Sequence, residues 1–321
     1  MNIHIERGYI MNDIITMNNR NLATAPQFTD GLFNKFIAYL DASPKTIETY
    51  TRALKQFAKW TAENNITQPT REDIIAYREY LKEDHKPSTI QNYIIATRLF
   101  FKWTDQEGLY PNVAEHIKGA KLDREHKKDY LTPSQVKKIL AKIDRSTVQG
   151  LRDYAIIALM ITGGLRTIEV SRANIEDLTI MGDRSILYVQ GKGHNERAEY
   201  INISPEVEDA IRDYLKARKE TDGKQPLFTS LSNNSKGDRM TTRSISRLVK
   251  NAFINAGYNS EKLTAHSTRH TAVTLALMGG ESLEVVQQFA RHANITTTQI
   301  YAHNLERANN KCSAVIAKAI F

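Results

Sequence analysis

The sequence predicts a mainly α-helical protein with one small antiparallel β-sheet, arranged as two domains. Apolar residues recur at three- and four-residue steps through most of the chain, which is the period of helices with one buried face. Only the region 178–203 instead reads as short β-prone runs separated by turn residues. Between the two helical halves, 111–131 has no apolar period, so it is expected to be an interdomain linker. With 321 residues, each half is long enough to bury its own core.

Residues 1–26 are polar, rich in asparagine and without the apolar run of a signal peptide, and are expected to be a flexible leader. From Phe28 the helical pattern begins, with Phe33, Phe36, Ile37 and Leu40 on one face until Ser43-Pro44 breaks it. Ser43 caps the next helix and Pro44 opens it, with Ile47, Tyr50, Leu54, Phe57 and Thr61 as its buried stripe. A third helix is expected over 71–82. Pro87 opens a fourth, where Ile90, Ile94, Thr97 and Phe101 repeat the spacing and Phe100 and Trp103 widen the face. The domain 27–110 is therefore all-helical and packed by aromatics. Its edge carries Lys45, Arg52, Lys55, Lys59, Lys86, Arg98 and Lys102. Any one of these reads as ordinary surface charge; as a set they suit a polyanion.

The second domain, 132–321, starts at Thr132-Pro133-Ser134-Gln135, a helix-opening box. Helices are expected over 133–142 and 149–162, the latter apolar enough to be core. It runs into Gly163-Gly164-Leu165-Arg166-Thr167-Ile168-Glu169, where the glycines permit a sharp turn that sets Arg166 at the head of the next helix. Three short strands follow at 178–180, 186–189 and 199–203. The turn Gly191-Lys192-Gly193 lacks the spacing and the Ser or Thr of a nucleotide-binding P-loop, so an ATPase is rejected; it does place a lysine at a hairpin tip. Helices return over 205–219 and 241–256. On the second, Arg243, Arg247 and Lys250 form a basic ridge that Arg239 extends, and like charges on one face repel unless a partner supplies negative charge.

The stretch 264–303 concentrates chemistry: His266, Arg269 and His270, then an apolar segment, then Arg291-His292, and finally Tyr301. Donors at i and i+3, such as His266 and Arg269, share a helix face and suit one anion. A zinc-protease motif would need Glu after the first histidine, and Ser267 stands there. Lys and Arg number 44 against 36 acids, a net charge of +8 that favours a polyanionic partner. The single cysteine, Cys312, rules out an internal disulfide and a multi-cysteine zinc site and suits a reducing cytosol. No apolar run reaches the length of a membrane span.

In these residues the chain, from about residue 27 onward, resembles the tyrosine recombinases, among them the integrases of phages and conjugative elements and the Xer recombinases. The motifs are Gly-Leu-Arg166-Thr-Ile-Glu169, Gly-Lys192-Gly, His266-Ser-Thr-Arg269-His270, and Ala-Arg-His292 with eight residues before Tyr301. One departure is Arg291, where the family commonly has glycine, and it bears on the local turn. The resemblance implies a helical core-DNA-binding domain followed by a tyrosine-recombinase catalytic domain. Tyr301 would be the nucleophile that forms a 3′-phosphotyrosine, and Arg166 and Arg269 would clamp the phosphoryl oxygens. His266 would accept the phenol proton, Lys192 would protonate the departing 5′ oxygen, and His292 would donate to the phosphate. Glu169 would orient the arginine or histidine network. No cofactor, ATP or metal is expected.

The partners implied are double-stranded recombination sites, held by a homotetramer on two DNA sites, with an accessory excision factor as a further partner and no membrane. Lys45, Arg52, Lys55, Arg98, Arg239, Arg243 and Arg247 are the candidate DNA contacts. Integration and excision of a mobile element in the bacterial cytoplasm, in association with the nucleoid, is the expected role. Xer-like resolution of chromosome or plasmid dimers is the alternative. A type IB topoisomerase and a non-enzymatic DNA-binding protein on the same fold are the other classes. The short N-terminal extension argues against a complete arm-binding domain. The tail 304–321 reads as one helix whose stripe of Leu305, Ala308, Cys312, Val315 and Ala319, widened by Ile316 and Ile320, must be buried, either on its own domain or in exchange with a neighbouring subunit.

Overall fold

The computed structural model describes residues 30–121, 129–191, 199–308, 310 and 312–321, so the leader expected over 1–26 lies outside the described residues. The described chain is mainly helical with one three-stranded antiparallel sheet. Its contacts divide it into two units, Met1–Arg124 and Glu125–Phe321.

In the first unit, α1 (Asp30–Tyr39), α2 (Pro44–Glu63), α3 (Arg71–Asp84) and α4 (Pro87–Gln106) enclose an aromatic core. Their starts follow from local chemistry. The Ser43 hydroxyl accepts the Thr46 N–H at 3.2 Å, and Asp73 reaches back to the Thr70 N–H at 2.7 Å. Phe57, Tyr77, Phe100 and Phe101 are fully buried. Phe57 meets Tyr77 edge-on at 5.1 Å and Phe101 at 5.9 Å. The first part of the stretch expected as linker packs on this core: Ala114 and Ile117 are buried in it, and just before it the Tyr110 hydroxyl donates to the Pro69 carbonyl at 2.9 Å. Two apolar anchors in irregular chain are too few to register as a period. Residues 122–128 lie outside the described residues, and Leu131 already belongs to the second core.

The second unit contains α5 (Pro133–Ala141), α6 (Val148–Thr162), the short α7 (Thr167–Arg172), β1 (Leu178–Met181), β2 (Arg184–Val189), β3 (Glu199–Asn202), α8 (Pro205–Arg218) and α9 (Thr242–Asn255). The four helices that follow are α10 (Ala265–Met278), α11 (Leu283–Ala290), α12 (Ile295–Ala308) and α13 (Cys312–Ile320). The expected box opens α5, with Gln135 accepting the Thr132 N–H at 2.8 Å. α6 is buried on nearly every side from Ala155 to Ile161 and packs against α8 and α10, which makes it the axis of the core. The sheet runs β1-β2-β3, with Leu187 facing both Leu178 and Ile201. None of the described helices is long and apolar enough to cross a membrane.

Two details differ from the sequence reading. The apolar segment after His270 is broken after Met278 by Gly279-Gly280, where Gly280 has φ +94°, and Ser282 then caps a separate helix by accepting the Val285 N–H at 3.3 Å. The tail is divided as well. The helix that carries Tyr301 ends at Ala308, and α13 begins afresh where the Asn310 side chain captures the Cys312 N–H at 2.8 Å.

Candidate active site

The site is built on the turn between α6 and α7. Gly164 has φ +59°, and a Cβ there would stand 3.0 Å from the Phe289 ring, so both backbone and packing require glycine. The turn delivers Arg166 to the head of α7. Three residues on, Glu169 accepts the Arg166 N–H at 2.8 Å and the Arg166 Nη1 at 2.7 Å. The first contact is the usual reach of a Glu at the third helical position back to the cap residue; the second fixes the guanidinium. Glu169 is fully buried. Burial pushes its carboxyl upward, but the charge of Arg291 and the hydrogen bonds from Arg166 outweigh it and hold the group below the usual carboxylate range.

A helix end supplies the other half of the frame. The last carbonyls of α11 have no partner within the helix, and the macrodipole favours a cation there. Arg269, only 1% exposed on α10, donates Nη2 to the Ala290 carbonyl and Nη1 to the Gly164 carbonyl at 2.7 Å. Arg166 donates Nη2 to the next carbonyl, that of Arg291, at 3.2 Å. Two guanidiniums from distant segments thus converge on one helix terminus. Burial, followed by the charges of Arg166 and Arg291, lowers Arg269 to about 9, so it remains a cation at neutral pH.

His292 follows directly, with its Nδ1 2.9 Å from the hydroxyl of the fully buried Thr298. Burial, then Arg269, Arg166, Arg291 and His266, pushes the imidazole down to about 4. Neutral His292 therefore faces the site at physiological pH. Tyr301 on α12 is 5% exposed and seated on Val273, Val286 and Ala290. Its ring lies 6.2 Å from His292, nearly parallel, and 5.1 Å from His270, which is itself 4.6 Å from His266. Burial raises the phenol to about 12 even though Arg269 and Arg166 pull it down. Such a phenol becomes a nucleophile only as its proton is removed.

Arg166, Glu169, His266, Arg269, His292 and Tyr301 therefore stand together, although they come from three helices and the turns before α7 and after α11, and up to 135 residues separate the first from the last. A model of the phage integrase family matches residues 129–307, more than half of the chain, and a phage integrase N-terminal SAM-like model matches residues 32–109. The chain belongs to the phage integrase family. Within it, the chain is 32% identical over 268 residues to a tyrosine recombinase XerC of Pelobacter propionicus, covering 81% of this chain and 85% of that one. It is 31% identical over 207 residues to a tyrosine recombinase of Synechococcus elongatus, and there the match spans 64% of either chain. The fold resembles that of the XerH site-specific recombinase bound to palindromic difH substrate, with a TM-score of 0.69, 23% identity, and coverage of 82% of this chain and 78% of that one.

The remaining candidates of this integrase-family chain have different surroundings. Lys192 lies outside the described residues. A groove of about 770 Å³ is lined by Arg166, Thr167, His266, Arg247 and Lys250, so the basic ridge of α9 opens onto the arginine segment. Arg243 and Arg247 are exposed. Lys250 instead ties down the loop before α10, donating to the Ser260 carbonyl at 2.6 Å and the Leu263 carbonyl at 3.2 Å. Arg239 likewise binds the carbonyls of Ser171 and Ala173 at 2.9 and 3.0 Å, which gives it a structural task. In the first unit Lys45, Arg52, Lys55 and Arg98 are exposed, and Lys45 and Arg52 both pair with Glu48 at 2.6 and 2.9 Å. Sequence reasoning missed two members of the site. Thr298 has no signal beyond its place in a threonine run. Arg291 had one, since it stands where glycine is usual, but that was read as a matter of the turn alone.

Proposed function

We propose that the protein is a site-specific DNA recombinase in which Tyr301 attacks a backbone phosphodiester and integrates or excises a mobile element. The Tyr301 oxygen bonds to phosphorus as the bond to the 5′ oxygen breaks, leaving a 3′-phosphotyrosine that conserves the bond energy for rejoining. Arg166 and Arg269 stabilise the charge that grows on the phosphoryl oxygens. His266 takes the phenol proton, with His270 along the path, Lys192 protonates the 5′ oxygen, and neutral His292 donates a hydrogen bond. The observation that carries the reading is the convergence of two guanidiniums and a histidine on one buried tyrosine.

The match of both units to phage integrase models accommodates the mobile-element role. A second reading, resolution of chromosome or plasmid dimers, is favoured by the Xer names of relatives. Recombination assays on element ends and on a chromosomal dimer site distinguish the two. The protein acts in the cytoplasm, with the nucleoid as its surroundings and an excision factor as an accessory. For its assembly, the tail is informative. No residue of α13 is buried, and Val315, Ile316, Ile320 and Phe321 are strongly exposed, an apolar strip that suits a groove on a neighbouring subunit in a tetramer on two DNA sites.

Tyr301→Phe tests the nucleophile. On a nicked suicide substrate it is expected to bind DNA and form no covalent adduct on a denaturing gel; an adduct would refute the assignment. Deleting 312–321 is expected to spare half-site binding and abolish synapsis and strand exchange. Normal recombination by the truncated protein would rule out the tetramer link. A non-enzymatic DNA-binding protein would give no adduct from the wild-type chain, and a type IB topoisomerase would relax supercoils without a second site.

A further inference from the structure

Arg291 occupies a backbone position that does not suit it. It follows the last residue of α11 with φ 53° and ψ 49°, in the left-handed region where glycine is favoured. The turn itself is made by backbone: the Arg291 N–H donates to the Gln288 carbonyl at 2.9 Å and the His292 N–H to the Gln287 carbonyl at 3.1 Å. Glycine would form it with less strain. The reason for arginine must lie in the side chain.

That side chain is 6% exposed and reaches into the arginine segment. Nη2 pairs with Glu169 Oε2 at 3.0 Å and donates to the Gly164 carbonyl at 3.3 Å, and Nη1 donates to the Phe289 carbonyl at 2.8 Å. Its Nε is a buried donor with no acceptor among the described residues, a further cost at this position. In return Arg166 donates to the Arg291 carbonyl. Glu169 thus bridges two arginines, one at the head of α7 and one next to His292. We propose that Arg291 is a positioning residue of the cleavage site, locking the turn that carries His292 to Glu169 and thereby fixing Arg166 against the same phosphate position. A glycine there keeps the turn but leaves the two segments joined only through carbonyls.

The inference rests on the recombinase reading, and its test separates the two. The groups described around His292 are Arg166 and Glu169 from the α7 segment, Arg269 and His266 from α10, Arg291 itself, and Thr298 and Tyr301 from α12. Arg291→Gly and Arg291→Lys in the full chain are assayed for half-site binding, for single-turnover cleavage at saturating suicide substrate, and for His292 titration by NMR without DNA. In Arg291→Gly, cleavage is expected to fall by about 10- to 100-fold, the scale for removing a partner that orients a working side chain. Half-site affinity is expected to be unchanged, and His292 is expected to titrate at higher pH because one opposing cation is gone. Arg291→Lys, which keeps the charge and loses the planar fork, is expected to slow cleavage while leaving the His292 titration in place. Should Arg291→Gly fail to fold, slowed cleavage by the lysine variant carries the test. Wild-type cleavage in Arg291→Lys, or losses in both variants that only track weaker DNA binding, would overturn the proposal. An absence of adduct from the wild type would instead sink the recombinase reading, and an unmoved His292 titration in folded Arg291→Gly would then overturn the positioning role by itself.

Discussion

Two buried clusters of this protein, one in each unit, are held by opposite means. In the first unit Phe57, Phe100 and Phe101 have no exposed surface, and in the second Glu169 has none and Arg269 has 1%. The aromatic core is stabilised by apolar burial and ring contacts, which have no charge to satisfy and depend weakly on direction. The arginine pocket is stabilised by the pairing of its donors with carbonyls and Glu169, because an unpaired buried charge is costly. The first region therefore responds to lost volume and the second to lost pairing or changed protonation. The difference also bears on the proposed chemistry, since groups held in place by helix ends and carbonyls need not reorganise when a charged transition state forms.

The largest effect on stability is expected from Phe101→Ala, about 3–5 kcal/mol by denaturant unfolding, since a fully buried ring leaves a cavity. Cleavage by the fraction that remains folded is expected to be normal. A variant of unchanged stability, or one that is folded and catalytically dead, would break the comparison.

Arg269→Ala tests the other region. It is expected to slow cleavage about 100- to 1,000-fold, roughly 3–4 kcal/mol of transition-state stabilisation, with little loss of half-site binding. Arg247→Ala, exposed on α9, is expected to do the reverse, weakening binding and reducing its salt dependence while the rate at saturation is maintained. Equal losses of binding from the two would erase the distinction between pocket and groove.

The smallest effect is on pH dependence, and it sharpens the contrast. His292 is held down to about 4 in the folded state against about 6.5 in the unfolded chain, so the unfolded chain binds the extra proton first as pH falls. Stability is thus expected to drop between about pH 6.5 and 4 on this account. Glu169, whose folded pKa is depressed, adds a further loss below its unfolded value as pH falls through the folded one. Melting temperatures measured from pH 7 to 3 should fall, with His292→Gln flattening the upper part of the curve and Glu169→Gln the lower. A curve unaltered by both substitutions would mean that the pocket does not couple protonation to folding.

The aromatic stripes of α2 and α4, the caps at Ser43 and Thr132, and the three strand runs were all legible in the sequence. Each depends on interactions between residues a few positions apart, and the backbone period converts that spacing directly into a face. The break at Gly279-Gly280 and the new start at Asn310 were equally local, and were overlooked because an apolar pattern on both sides hides a turn. The candidate site's residue types could also be picked out, since arginine, histidine and tyrosine gather around 264–303. Tertiary structure decided what each of them touches. Arg269 and Gly164 are 105 residues apart and Arg291 and Glu169 are 122, and no local period reports on such pairs. Whether an arginine is an exposed cation like Arg247, a loop clamp like Arg239 or a buried fork like Arg291 depends on which carbonyls and carboxylates the fold brings within reach. In one dimension those three are the same side chain; only packing supplies the acceptors that give each a different task.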